Sequence, residues 1–184
     1  MKPDPTEEDA FRSLLAKEAA KERTLVQQLA RPGGVALQAL QLAGVQYKRA
    51  LRELPGAVEA VDFDEPYLSA YRAVISGCKA LLAVYGYRIQ GGDGAHLETL
   101  RLGAMGLVIW DRHAGQVLEE VREPMRSARN EAEYQRPGVT TAAELKEIFD
   151  TASTVLRAIS TVVPTLVGAE NPLIYEWPVP EVAE

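Results

Sequence analysis

Along most of the chain the apolar residues recur at steps of three and four, the spacing that lines one face of an α-helix. Phe11, Leu15, Ala19, Val26 and Leu29 fall near one face of a segment rich in Ala, Glu, Lys, Leu and Gln, which predicts a first helix from Asp9 to about Ala30. Arg31-Pro32-Gly33-Gly34 should stop it, since proline lacks an amide donor and glycine supplies left-handed caps. Leu37, Leu40, Gly44, Tyr47, Leu51 and Leu54 form the stripe of a second helix that starts at Val35 and is expected to end at Pro55-Gly56. The segment from Ala57 to Pro66 reads as a linker whose Asp62, Asp64, Glu65 and Pro66 cap the next helix. That helix carries Tyr67, Tyr71, Val74, Cys78, Leu81 and Tyr85 on one stripe and Leu68, Ile75 and Leu82 beside it, so it should be buried on several sides.

Gly86 and then Gly91-Gly92-Asp93-Gly94 break the chain before a helix from about Ala95 to Trp110. Its apolar residues point two ways, Leu97, Leu100, Ala104 and Leu107 on one side and Leu102, Met105 and Ile109 on another. One side can meet the core; the other needs a cover from the N-terminal helices or from a second subunit. Residues 112 to 135 form the next helix, bent at Pro124, with Leu118, Val121, Met125, Ala128 and Ala132 at heptad-like spacing. Thr141-Ala-Ala-Glu144 is a capping box that opens the last helix. Leu145, Ile148, Phe149, Ala152, Val155, Leu156 and Ile159 continue it until Pro164. The proline-spaced tail beyond has two readings: Trp177 anchors it on the bundle or a partner, or it is a weakly ordered terminus. No alternation long enough for a strand occurs. The pattern predicts an all-α, up-and-down bundle: an N-terminal extension of two helices over residues 1–60, a four-helix core over 61–163, and an extended tail over 164–184.

Composition narrows the setting. A chain of 184 residues can bury a core without covalent staples, and its one cysteine, Cys78, excludes an internal disulfide and fits a reducing compartment. An acidic N-terminus without an apolar run, and no eighteen apolar residues together, predict a cytoplasmic protein without a membrane span. The formal charge of −6 opposes broad non-specific binding to nucleic acid but allows a local basic site. His96 and His113 are the only histidines and make no metal signature, so neither metal nor cofactor is expected. His96, at a helix start, reads as an exposed capping or solvent-facing residue. The Gly91-Gly92-Asp93-Gly94 run reads as a turn, since no strand precedes it and no Gly-Lys-Ser/Thr follows.

The strongest candidate for chemistry is Arg126-Ser-Ala-Arg129-Asn130-Glu-Ala-Glu-Tyr134. At 100° per residue Arg126, Arg129, Asn130 and Glu133 share one side, and Arg129 lies close to the apolar stripe. An arginine there needs a partner. It is either a structural ion pair or an anion site, with its fork on phosphate and Asn130 adding hydrogen bonds.

Arg129-Asn130-Glu-Ala-Glu-Tyr134 resembles the Arg-Asn-x-x-x-His signature of the HEPN domain family, with tyrosine in the last place. Tyr71-Arg-Ala-Val, Leu81-Leu82, Gly86-Tyr87-Arg88, Gly91-Gly92 and His96 are similar to the first core helix, glycine turn and second helix start of a bacterial branch of that family. The resemblance covers roughly residues 62 to 163. It implies a homodimer with a composite site for metal-independent RNA cleavage, in which Arg129 stabilises the scissile phosphate, Asn130 orients it and the residue at Tyr134 moves the proton; Arg126 and Arg122 are the candidate RNA phosphate contacts beside it. Tyrosine is a poor base near neutrality, its ordinary pKa being about 10. On an unbroken helix Arg129 and Tyr134 also point about 140° apart. The expectation is therefore a HEPN-like, nucleic-acid-directed or regulatory module with weak or lost ribonuclease activity. The alternatives are an active endoribonuclease toxin and a non-catalytic partner, or modification target, of a nucleotidyltransferase.

Overall fold

The computed structural model of the chain describes residues 4–92, 94–135, 138–169 and 175–182, with the backbone alone for Tyr134 and Gln135. Among these residues the chain is an all-α bundle. Its elements are α1 (Pro5–Ala19), strand β1 (Val26–Gln28), α2 (Pro32–Ala60), α3 (Asp64–Val84), strand β2 (Tyr87–Ile89), α4 (Ala95–Trp110), α5 (Arg112–Asn130), a π-helical turn (Glu131–Gln135) and α6 (Ala142–Val167). No helix is long and apolar enough to cross a membrane among the described residues.

α3 is the central helix because it is apolar on nearly every side, as its sequence predicts. Tyr67, Tyr71, Val74, Cys78, Leu81 and Tyr85 are all buried, and α2, α4 and α6 pack around it. Two glycines permit close approaches to α3. A Cβ on Gly77 would lie 2.5 Å from Leu156 of α6, and one on Gly103 of α4 would lie 2.6 Å from the Cys78 sulfur. α1 covers part of the second apolar side of α4, where Met105 stays exposed: the Phe11 ring lies against Gly106 and meets Tyr85 edge-on at 5.0 Å.

The boundaries depart from the local pattern in several places: α1 begins at Pro5, capped by Asp4, rather than at Asp9, and α2 runs on to Ala60 while α3 starts at Asp64, both inside the expected linker. α1 ends at Ala19, and Val26 to Gln28 pair antiparallel with Tyr87 to Ile89 in the register Val26↔Ile89, so a segment expected to be helical becomes half of a short ribbon. Arg31-Pro-Gly-Gly starts α2, with Pro32 at a first-turn position where its missing amide is not needed. Pro55 and Pro164 lie inside helices that continue to Ala60 and Val167, because packing carries on past each of them, at buried Ala57 and at half-buried Leu166 and Val167. The helix over residues 112 to 135 does not stay α-helical to its end: from Glu131 it becomes a π-turn.

The start of α6 follows the sequence closely, with Thr141 and Glu144 exchanging side-chain and backbone hydrogen bonds in a complete capping box. Of the two readings of the tail, anchoring is the one found. Trp177 is 3% exposed, packs at 5.3 Å on Tyr47, and donates its indole N–H to Ser160 Oγ at 3.1 Å. Tyr47 in turn donates its hydroxyl to the Pro178 carbonyl at 2.6 Å.

Candidate functional site

Three elements meet at a cleft of about 460 Å³ lined by Tyr71 of α3, Gly92 and Gly94 of the glycine turn, Ala95, His96 and Leu97 at the start of α4, and Arg126, Arg129 and Asn130 at the end of α5. Local sequence explains each contribution. Gly94 has φ +79° and is the residue before α4, a left-handed conformation that glycine adopts without penalty, so the chain can turn sharply and point His96 back toward α3. Arg126, Arg129 and Asn130 lie at i, i+3 and i+4, one side of a helix.

Arg129 is mostly buried and forms an ion pair with Glu133 of the π-turn, while one of its guanidinium nitrogens donates to Asn130 Oδ1 at 3.0 Å. The other Glu133 oxygen accepts from Arg72 of α3 at 3.3 Å. Glu133 thus bridges two helices through two guanidinium groups. Arg129 is therefore ion-paired, as the structural reading expected, and its side chain also borders the cleft. Arg126 is exposed, with a loose contact to Glu123 at 3.8 Å. Arg122 stands apart: it pairs with Glu119 at 3.0 Å and Glu123 at 3.3 Å and does not line the cleft.

The side chain of Tyr134 lies outside the described residues. Its backbone belongs to the π-turn, whose hydrogen bonds run from residue i to i+5 rather than i+4. The 100° step that separates Arg129 from Tyr134 on an unbroken helix does not apply there.

His96 is the residue that the sequence undervalued. It is half-buried rather than solvent-facing, and its Nδ1 lies 3.4 Å from the Tyr71 hydroxyl, a long hydrogen bond in which either group can donate. Burial holds the His96 imidazole below its ordinary basicity, with Arg129, Lys79 and Arg72 acting in the same direction and Glu133 against. Burial also pushes the Tyr71 hydroxyl up to about 12, so it stays protonated. The Gly91-Gly92-Asp93-Gly94 spacing followed by histidine was the one available signal, and it carries no chemistry until α5 is brought alongside.

A larger groove of about 780 Å³ runs along α6 and includes Asp111, His113, Asp150 and Arg157. Two carboxylates against one guanidinium give it no single sign, and Asp111 is already committed to the Ala114 amide as the cap of α5. Among the described residues no group of histidine, cysteine and carboxylate side chains is arranged to hold a metal ion. Compared with known proteins, the chain matches no family model, no curated protein and no solved structure.

Proposed function

We propose that the chain is a HEPN-like, RNA-directed module whose cleft between α3, α4 and α5 holds a backbone phosphate. The observation that carries this reading is the convergence of Arg126, Arg129 and Asn130 with the first turn of α4 on one concave surface. Two guanidinium groups supply charge-assisted donors, and the amide end of α4 adds a favourable dipole for an anion. Arg72 and Lys79 add positive potential, opposed by Glu133 alone among the groups acting on His96. A local site of this kind is compatible with a chain of charge −6, whose remaining surface would repel RNA rather than bind it at random.

The test is the affinity of a labelled single-stranded RNA, measured by fluorescence anisotropy over a salt series. Arg126→Ala removes one exposed phosphate contact, so affinity should fall about tenfold and the slope of log K against log salt should lessen by about 0.7. Melting temperature should not move, because Arg126 has only a loose exposed ion pair to lose. Arg122→Ala, outside the cleft, should leave affinity unchanged. Equal losses in both variants, or no salt-dependent binding at all, would count against the cleft.

A further inference from the structure

We propose that Glu133 is a built-in occupant of the phosphate site: its carboxylate holds the place on Arg129 and Arg72 that an RNA phosphate takes, so RNA binds by displacing it and gains Arg72 as a further contact. This rests on the phosphate-binding reading above and adds to it the regulation of the same site.

A carboxylate and a phosphate diester offer a guanidinium the same thing, two oxygens sharing a negative charge, so the two compete for one place. Glu133 uses both of its oxygens in this way. One accepts from Arg72 of α3 at 3.3 Å, and the other is ion-paired with Arg129 of α5. Two arginines from different helices thus converge on one anion. Arg72 does not line the cleft, but sharing a carboxylate with Arg129 puts the two guanidinium groups within reach of a single phosphate. The other terminal nitrogen of Arg129 already donates to Asn130 Oδ1 at 3.0 Å. A phosphate that is to share the fork of Arg129 must therefore take the place of a partner, and Glu133 is the partner whose charge repels it.

The hold on Glu133 is loose enough to exchange. Its side chain is 25% accessible and that of Arg72 38%, so water and ligand reach the pair, and ion pairs so placed contribute little. The Glu133 oxygen that faces Arg129 is buried without a well-formed hydrogen bond among the described residues, which leaves part of its desolvation uncompensated. Glu133 also projects from the π-turn that follows α5, so its side chain can swing to solvent without unwinding that helix. Once it has swung, Arg72 and Arg129 join Arg126 around one phosphate.

The experiment uses the labelled single-stranded RNA of the binding assay. Glu133→Gln keeps the shape of the side chain and removes its charge. Affinity should rise about tenfold, the worth of two partly exposed ion pairs that RNA no longer has to break. Glu131→Gln removes an exposed carboxylate from the same turn and should raise affinity by about twofold or less, the effect of a screened charge. Glu133→Asp keeps the charge but is a methylene too short to span both guanidinium groups; it should also bind more tightly than wild type, and it carries the test should the amide variant not fold. Arg72→Ala should lower affinity several-fold in the Glu133→Gln chain and little in the wild type, where losing a contact and loosening the carboxylate offset each other. Salt-dependent binding by the wild type with no gain in either Glu133 variant would overturn the occupant and leave the phosphate site standing. Equal gains from Glu131→Gln and Glu133→Gln would overturn it too, because net charge would then be the cause. Absence of binding in the wild type and both Glu133 variants would overturn both readings, and binding that appears only once Glu133 is changed would support both.

Discussion

Asp64→Ala should destabilise the fold by about 3 kcal/mol, because it leaves the two buried donors of Thr140 and the Gly138 amide without their acceptor. The Asp64 carboxylate is 7% exposed and sits at the start of α3, yet its oxygens serve a distant loop. One accepts from the Gly138 amide, the other from the Thr140 amide at 3.1 Å and from the Thr140 hydroxyl at 2.5 Å. These bonds tie the chain that follows the π-turn to the beginning of the central helix. Removing the carboxylate takes away the acceptor but not the need for it, since loop amides at this depth have little access to water. For a chain of this size the loss corresponds to a fall of roughly 6 to 12 °C in melting temperature, readable by circular dichroism. Asp64→Asn should fall between wild type and Ala: its one carbonyl oxygen can serve Thr140, but its amide then faces the Gly138 N–H, donor against donor. Hydrogen exchange should show Gly138 and Thr140 losing protection first. A fall below about 2 °C for the alanine variant would mean that the loop finds other partners.

Trp177→Ala should cost about 3 kcal/mol and release the tail. The indole is wedged between Tyr47 and Tyr175, each at a ring distance of 5.3 Å, and its backbone carbonyl accepts from the buried Ser153 hydroxyl. Gly44 makes room for the neighbouring ring: a Cβ there would lie 2.2 Å from Tyr175. Truncating the indole removes the apolar contact and the Ser160 hydrogen bond together, leaving the tail held by two backbone carbonyls, that of residue 177 to Ser153 and that of Pro178 to Tyr47. The expected result is a lower melting temperature with amides of residues 175–182 exchanging freely and a tail open to limited proteolysis. Gly44→Val should expel Tyr175 and produce part of the same effect without touching Trp177. A tail that stays protected in Trp177→Ala would show that the proline-spaced backbone docks without its indole.

The candidate site illustrates why motif reading reached only part of the chemistry. Arg126, Arg129 and Asn130 could be grouped from sequence because a single helix turn places them, and a helical step of 100° is a local property. His96 could not be grouped with them. It reaches the cleft because α4 and α5 pack against each other and α3 passes behind them, so its neighbour Tyr71 is 25 residues away. Glu133 was assigned to the same side as Arg129, but its second partner, Arg72, lies 61 residues away. Asp64 had the residue type and place of a helix cap, and its carboxylate turned instead to a loop 74 and 76 residues on, where buried amides had greater need of it than the solvated first turn of α3.

What periodicity and capping decide in this protein are the features that follow from neighbours in the chain. The limits of α4, the capping box of α6, the buried stripe of α3 and the helical class all follow from apolar spacing and from side chains that satisfy amides a few residues away. What required the assembled bundle are the features whose energy comes from distant partners. Val26 leaves the helical register because Ile89 offers it a strand, Pro55 and Pro164 stay within helices because packing continues past them, and Trp177 becomes core because Tyr47 and Ser160 receive it. His96 gains its surroundings in the same way. Its burial, its Tyr71 partner and its facing charges come from α3, α5 and the π-turn, and none of these is encoded in the residues beside it.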